Sequence, residues 1–298
     1  MKTSRSIAFS LFTVLFSTMI TALFSSSADA AMTTRDENIS AQLAQLEASV
    51  PGRLGVYLID PIHNDSYSYK GDERFPFCST GKVLVVAKLL HDSQTNPLTM
   101  NIAMTIKQND LTNYNPITGQ NVGKHMTVST LSQAALQYSD NTAMNLLLRQ
   151  AGGIGAINAF ARTLGDRLFL LTRNEPSLNT SLPGDERDTS TPYAMAHTLQ
   201  KLTLGNGLEK DKRDLLTQWM KGNTTGNASI KAGVPTNWTV ADKTGSGDYG
   251  TTNDVAVMWT EKHNPIILVV YFTQFQQDVL PRKDVLAKAA NIVTSYIH

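Results

Sequence analysis

The order of apolar patterns along the chain constrains the fold more than any other feature of this sequence. Strand-like runs lie near both ends, at 54–59 and 66–70 and again at 238–241, 255–260 and 266–273. Between them helical spacing dominates, at 83–90, 131–138, 143–150, 154–164, 194–204 and 215–220, and strand signals are nearly absent. Further helices are predicted at 39–50 and 283–296. The order predicts an α/β (α+β) fold in which one five-stranded antiparallel sheet, flanked by the terminal helices, carries an inserted all-helical lobe.

Domain boundaries follow from this order. We expect an α/β lobe from residues 31–70 and 221–298, and a helical lobe from 71–220. The helical lobe includes a segment at about 167–188 that is long for a loop without regular structure, and such loops are often functional. The active site is expected in the cleft between the lobes.

Residues 1–30 have the pattern of a secretory signal peptide. Lys2 and Arg5 precede an apolar run at 7–24, and small residues follow up to Ala30, where we expect cleavage. A retained membrane anchor is the alternative, because the run is close to the minimum length that spans a bilayer. After cleavage no stable membrane association is expected.

Composition limits the classes of partner and cofactor. Lys and Arg number 26 against 25 Asp and Glu, so the formal charge of +1 gives no broad positive field for a nucleic acid. The chain has one Cys and six His without a close ligand cluster, and this spacing argues against a bound metal. We therefore expect a small-molecule partner and neither metal nor cofactor.

Ser79 and Lys82 form an S-x-x-K motif at the start of a predicted helix. Residues three apart share one helix face, so the Lys82 amine can reach the Ser79 hydroxyl and make it nucleophilic. Alone the motif is weak, because a capping Ser followed by a surface Lys has the same spacing.

Two further tripeptides show that the S-x-x-K motif is not a chance occurrence. Ser139-Asp140-Asn141 lies between two predicted helices, and Lys243-Thr244-Gly245 lies at the end of an apolar strand. Each has a chance expectation of about 0.04 in a chain of this length. Asp140 is expected to cap a helix rather than to react.

The three motifs, in this order, resemble those of the penicillin-recognising serine enzymes. Arg173-Asn-Glu-Pro-Ser-Leu-Asn179 resembles the omega loop of class A β-lactamases, and the segment from Arg187 to Pro192 resembles the end of that loop. Finer similarity to the cefotaxime-hydrolysing branch lies in three segments, at 141–145, 221–225 and 248–253. The resemblance covers essentially the whole chain after residue 30.

This resemblance implies the catalytic roles. Ser79 would attack the lactam carbonyl, the backbone amides of Ser79 and Ser246 would stabilise the oxyanion, and Ser139 would relay a proton to the ring nitrogen. Either Lys82 or Glu175 would be the acylation base, an alternative that the sequence leaves open. Glu175 would then activate the hydrolytic water.

It also implies how the substrate is bound. Asn141 would contact the substrate amide, Asn179 would help to hold the water, and Asp248 would meet a cationic substituent. The full implied set of substrate-binding residues is Tyr114, Asn141, Asn179, Lys243, Thr244, Gly245, Ser246 and Asp248. A further cation would come from Arg282 or Lys283, and the sequence does not choose between them.

Three neighbouring features carry structural expectations. An Arg173–Asp188 ion pair would pin the loop. Gly81 replaces the bulkier residues usual in relatives, and since a glycine inside a helix costs about 0.5 to 1 kcal/mol relative to Ala, we expect less rigidity near Ser79. Cys78 is expected to be a buried, inert thiol.

The resemblance predicts a periplasmic, monomeric β-lactamase that acts on cephalosporins and penicillins without a cofactor. A cell-wall D,D-peptidase shares the first three motifs but need not present a carboxylate such as Glu175 to a hydrolytic water. A penicillin-binding sensor module is the alternative from another class. Both would acylate without sustained turnover.

Overall fold

The computed structural model describes residues 34–297. The expected signal peptide at 1–30 lies outside these residues. Residues 34–42 are helical and belong to a compact unit separate from the one that begins at Leu43. The sheet, the helices after α1 and the site described below all lie in the unit from Leu43 onward.

The regular elements follow the predicted order, with extra short strands. In chain order they are α1 (34–48), β1 (Gly52–Asp60), β2 (Asp65–Tyr69), β3 (Phe75–Pro76), α2 (Lys82–Thr95), β4 (Ala103–Thr105), β5 (His125–Thr127), α3 (Val128–Gln137), α4 (Asn141–Gln150), α5 (Ile154–Thr163), β6 (Thr189–Ser190), α6 (Pro192–Thr203), α7 (Lys210–Lys221), α8 (Ile230–Gly233), β7 (Thr239–Ser246), β8 (Thr252–Trp259), β9 (Pro265–Gln274) and α9 (Lys283–Thr294).

The predicted five-stranded antiparallel sheet is confirmed. Its strand order is β2-β1-β9-β8-β7, so the two N-terminal strands pair with the three C-terminal ones through β1 and β9. Val56 lies opposite Val270, and Val255 lies opposite Val269. Central strands are buried on both faces, which explains why β9 reads as a continuous apolar run rather than an alternating one.

Helices cover the sheet and build the inserted region. α6 packs against β1, β8 and β9, and α9 packs against β8 and β9. α2 lies among α3, α4, α5 and α7, and its residues from Lys82 to Ala87 are all buried. A helix surrounded by other helices is apolar on every side, which accounts for its run of Val and Leu.

Several predicted boundaries were wrong for physical reasons. The strand predicted at 238–241 continues to Ser246, because Asp242 and Lys243 are buried within β7 although their polarity interrupts the apolar pattern. The short pairs β3–β6 and β4–β5 were missed, since strands of two or three residues show no periodicity. The helix predicted to begin at Ser79 begins at Lys82, after a 3-10 turn at Cys78–Gly81.

Candidate active site

The turn that carries Ser79 is fixed by close packing. Cys78 has a positive φ of 49°, and the Phe77 amide donates to the Asp188 carbonyl at 3.1 Å. A Cβ on Gly81 would lie 2.7 Å from the Phe77 ring, which stacks on Phe169 at a centroid distance of 4.6 Å. The premise of the expected loss of rigidity is therefore corrected, because Gly81 ends the 3-10 turn rather than interrupting an α-helix, and a larger residue there would collide with the Phe77 ring.

Cys78 is fully buried beside the nucleophile candidate. Burial raises the pKa of its thiol to about 12, so the thiolate needed for nucleophilic attack is scarce at neutral pH. The expectation of a buried, inert thiol agrees with this environment.

Lys82 lies at the centre of the site. Its Nζ donates to Ser79 Oγ at 2.7 Å, confirming the contact expected from their spacing. The same nitrogen donates to the Ser139 carbonyl at 2.9 Å and to Asn141 Oδ1 at 2.6 Å, and it lies 3.0 Å from Glu175 Oε1. Because the Lys82 side chain has no exposed surface, these oxygens replace its hydration.

The Ser139-Asp140-Asn141 segment joins α3 to α4. Ser139 has a positive φ of 59°, a conformation rare for a serine and typical of functional sites held by their surroundings. Asp140 is the N-cap of α4, because its Oδ1 accepts from the Ala143 amide at 2.8 Å, as expected. Its other oxygen accepts from the Thr118 amide at 2.9 Å, which ties the segment to the neighbouring loop.

Glu175 is held against Ser79 by a side chain that sequence reasoning passed over. Asn145 Nδ2 donates to the Glu175 carbonyl at 2.8 Å, and the Glu175 amide donates to Asn145 Oδ1 at 3.0 Å. The Glu175 carboxylate accepts from Ser79 Oγ at 3.3 Å and from Asn179 Nδ2 at 2.5 Å. Asn145 lies one helical turn after Asn141 on α4, and that spacing was the signal available in the sequence.

The loop around Glu175 is pinned by the expected ion pair. Arg173 Nε lies 2.5 Å from Asp188 Oδ2, and the Asp188 side chain is fully buried. Asp188 Oδ1 also accepts from the amides of Thr172 and Arg173, at 2.7 and 3.0 Å. This carboxylate therefore organises the backbone of both loop ends.

The opposite wall is β7. Lys243 Nζ donates to Ser139 Oγ at 3.0 Å and to the Thr244 carbonyl at 2.6 Å. Burial and the nearby charge of Lys82 lower the pKa of Lys243 to about 7. A Cβ on Gly245 would lie 2.8 Å from the Phe77 carbonyl oxygen and 3.2 Å from the Ser79 amide nitrogen, so only glycine lets β7 approach the turn this closely.

The mouth of the site is more exposed. Tyr114 is 48% exposed, and the Asp248 amide donates to the Asn179 carbonyl at 2.8 Å, joining the β7–β8 turn to the omega loop. Lys283 lines the cleft, whereas the Arg282 guanidinium binds the Asp284 carboxylate at 2.8 Å.

These residues surround a cleft of about 640 Å³. Lys82, Glu175 and Lys243 lie behind its lining and are buried. The other predicted residues line it, namely Ser79, Tyr114, Ser139, Asn141, Asn179, Thr244, Gly245, Ser246 and Asp248. Lining residues that the sequence analysis did not assign include Asn113, Ser177, Thr180, Thr225 and Gly247. Within residues 34–297 we find no group of three or more His, Cys, Asp or Glu side chains able to hold a metal ion.

Comparison with known proteins gives concordant matches. A family described as the β-lactamase enzyme family matches residues 38–297. β-Lactamase CTX-M-97 of Escherichia coli is 52% identical over 98% of each chain, and β-lactamase CTX-M-8 of Citrobacter amalonaticus is 56% identical over 86% of this chain and 88% of its own. The crystal structure of a β-lactamase from Desulfarculus baarsii superposes with a TM-score of 0.87 at 42% identity, covering 88% of this chain and 98% of the other.

Proposed function

Because the chain belongs to the β-lactamase enzyme family and, as a class A serine β-lactamase, hydrolyses the β-lactam amide of cephalosporins and penicillins, we propose that Ser79 is its nucleophile. Opening the β-lactam ring inactivates the antibiotic and so gives resistance. The observation that carries the assignment is a buried triangle. Ser79 Oγ lies 2.7 Å from Lys82 Nζ and 3.3 Å from Glu175 Oε1, and the last two atoms are 3.0 Å apart.

Glu175 is the acylation base in this proposal. Lys82 Nζ already donates to Ser79 Oγ, to the Ser139 carbonyl and to Asn141 Oδ1. An ammonium has no lone pair with which to take the Ser79 proton. The carboxylate of Glu175 can take it, directly or through a water, while Lys82 stabilises the developing charge.

The attack on the carbonyl needs an oxyanion hole and a proton for the leaving nitrogen. We assign the oxyanion hole to the backbone amides of Ser79 and Ser246. Ser139 Oγ accepts from Lys82 at 3.3 Å and from Lys243 at 3.0 Å. Since both lysines donate to it, its own proton is available for the ring nitrogen.

Hydrolysis of the acyl-enzyme is assigned to the omega loop. Acylation leaves Glu175 ionised again, because the proton it took from Ser79 passes through Lys82 to Ser139, replacing the proton that Ser139 gives to the ring nitrogen. Glu175 then removes a proton from a water held with Asn179, the water attacks the ester carbonyl, and that proton returns to Ser79 Oγ as it leaves. The two hydrogen bonds from Asn145 support this role, because they fix the backbone at Glu175.

The other predicted residues, in the cleft lining and directly behind it, bind the substrate. Lys243, Thr244 and Ser246 supply positive charge and donors for the carboxylate of the antibiotic, with Lys283 rather than Arg282 as the further cation. Asn141 and Gly245 line the face along the substrate amide. Cefotaxime is a substrate in this proposal, with Asp248 meeting the cationic aminothiazole and Tyr114 packing at the cleft edge.

We further propose that the chain is exported to the periplasm with cleavage after Ala30 and acts there as a monomer. The charged, apolar and small-residue pattern at 1–30 supports export. No helix within 34–297 combines the length and apolar character needed to cross a bilayer. The lobe division at 31–70 with 221–298 against 71–220 is also retained, because α2 to α6 fall inside the second range and α7 ends one residue beyond it.

Steady-state hydrolysis of a chromogenic cephalosporin and of cefotaxime, by the purified chain with a chelator present, tests this function. Sustained turnover of both substrates is expected. A single stoichiometric burst followed by no further product would mean acylation without release, as in a D,D-peptidase or a sensor module. Hydrolysis of the chromogenic cephalosporin but not of cefotaxime would contradict the proposal that cefotaxime is a substrate.

A further inference from the structure

Two buried carboxylates lie side by side beneath the substrate-binding wall. Asp242 on β7 and Asp254 on β8 are 3% and 0% exposed, and Asp254 lies opposite Thr244, two residues along from Asp242. Residues diagonal across two antiparallel strands share one sheet face, so the two buried carboxylates are neighbours on that face. A hydrogen bond between them requires one of them to be protonated.

An unpaired atom supports the same conclusion. Asp254 Oδ2 accepts from the Ile230 amide at 3.0 Å, but Asp254 Oδ1 has no donor among the described residues if both acids are ionised. A buried carboxylate oxygen without a donor is costly, and two adjacent buried negative charges are more so. One proton held between the acids removes both penalties.

The acid pair is connected to the cleft by hydrogen bonds of defined direction. The Thr225 amide can only donate, and it donates to Asn223 Oδ1 at 3.0 Å, which fixes the orientation of the Asn223 amide group. Asn223 Nδ2 therefore faces Asp242 and donates to its Oδ2 at 2.5 Å. The Thr225 hydroxyl donates to Asn223 Oδ1 at 2.8 Å.

The same reasoning reaches the cleft lining. Because the Thr225 proton is directed to Asn223, the contact between the hydroxyls of Thr225 and Thr244 must use the Thr244 proton. Both threonines line the cleft. Asp242 and the Thr225 amide together thus hold the Asn223 amide group in one orientation, and through it they set the direction of the Thr244 hydroxyl in the free enzyme.

We propose that Asp242 and Asp254 share one proton and act as positioning residues, which orient the Thr225 and Thr244 hydroxyls through Asn223. The inference rests on the proposed function for one element only, the binding of the substrate carboxylate beside Thr244. Neither acid touches the substrate.

The direction of the pH effect follows from the environment of the pair. Lys231 on α8 and Lys243 on β7 are the cations that face it, and each acid faces the other. Burial raises the pKa of both acids, and the neighbouring Asp242 charge raises the pKa of Asp254 further, to well above its ordinary value. An acid whose folded-state pKa is raised contributes stability that is complete at low pH and is lost as the pH rises from about 4 through the folded-state pKa.

Thermal unfolding as a function of pH tests the shared proton without using activity. In D254N the amide nitrogen donates to Asp242 and the amide oxygen accepts from the Ile230 amide, so the contacts are kept without a titrating proton. We expect the unfolding midpoint of the wild type to fall relative to that of D254N as the pH rises above about 4. Parallel midpoints across the whole pH range would overturn the proton-sharing pair.

Steady-state kinetics test the connection to the cleft. In N223A the pair remains but the chain of hydrogen bonds is cut, so we expect KM for a carboxylate-bearing cephalosporin to rise about fivefold, with kcat within about twofold. D254A should raise KM similarly, whereas D254N should restore it. Wild-type KM in N223A would overturn the positioning role even if D254A fails to fold.

The two levels of the inference fail separately. A wild-type chain that is labelled by penicillin but does not turn it over would contradict the proposed function. The unfolding comparison between wild type and D254N would still decide whether the acids share a proton.

Discussion

The floor and the rim of the cleft are built in opposite ways. The floor, defined as Ser79, Lys82 and Glu175, is buried, and its polar atoms bind one another at 2.7 to 3.3 Å. The rim, defined as Tyr114 and Asp248, lies at the cleft mouth, and we find no side-chain hydrogen bond from either residue within the described part of the chain.

This difference suggests that the floor sets the rate of the chemical steps, whereas the rim sets the preference among substrates. Groups on the floor are already oriented before substrate arrives, so they lose little freedom during the reaction. A floor substitution should therefore change the rate of the chemical steps for every substrate. A rim residue gains its contacts only when a substrate presents a matching group, so a rim substitution should change the ranking of substrates.

The largest effect is expected from Ser79→Ala. Without the hydroxyl no acyl-enzyme forms, so kcat should fall by about 10⁵-fold or more and covalent labelling by penicillin should disappear. Intact-protein mass spectrometry after incubation with penicillin measures the label. Cys78→Ala is the control beside it and should still be labelled; loss of label only in the Cys78 variant would assign the nucleophile to the thiol.

Glu175→Gln should separate the two halves of the reaction. Because Glu175 is also the acylation base, we expect acylation to slow and turnover to fall by about 10³-fold. The acyl-enzyme should still accumulate, because labelling needs only one slow event and the water has lost its base. Quenched-flow mass spectrometry follows the adduct. Glu186→Gln removes an exposed carboxylate from the same loop and should leave both steps unchanged, whereas failure of the Glu175 variant to accumulate an adduct would contradict its role in releasing the acyl group.

Lys243, on the β7 wall beside the floor, gives the site a dependence on pH. Its pKa of about 7 means that the ammonium is present below neutrality and is lost as the pH rises. For a cephalosporin with a free carboxylate, kcat/KM should fall by up to about tenfold per pH unit above pH 7.

The matching ester of the same cephalosporin is the control for Lys243. The ester has no negative charge for Lys243 to bind, so its kcat/KM should lack this decline. If acid and ester decline together, the titrating group acts on the chemistry rather than on carboxylate binding.

The smallest effect is expected at the rim. Asp248→Gly should reduce kcat/KM for cefotaxime by about threefold, which is the size of a solvent-exposed charge contact. Benzylpenicillin lacks the aminothiazole and should be unaffected. An equal loss of kcat/KM for both substrates would mean that Asp248 affects every substrate alike, as a floor residue does, and would contradict its contact with the aminothiazole.

The sequence predicted the sheet and the catalytic motifs because both leave local signals. Strands such as β9 have continuous apolar runs, and Ser79 and Lys82 are neighbours on one turn of chain. The joining of strands from both ends of the chain in one antiparallel sheet was also predicted, but the pairing of β1 with β9 was not.

Contacts between distant segments could not be predicted in this way. Asn145 and Glu175 are 30 positions apart, and neither has a local pattern that points to the other. The role of Gly81 was misjudged because the Phe77 ring that needs its space is visible only in three dimensions. The choice between Arg282 and Lys283 likewise depends on the direction in which α9 begins.

Asn145 and Asn141 lie on the same helix, and this has a consequence for how the enzyme fails on heating. α4 holds Lys82 through Asn141 and the omega loop through Asn145, but only the second bond pair joins it to a segment without regular structure. Irregular segments open at lower free energy than packed helices. Just below the temperature of global unfolding, the protein should therefore still be acylated by one antibiotic molecule per chain but no longer hydrolyse the adduct. Heating would then change the protein from a catalyst into a stoichiometric binder of the antibiotic.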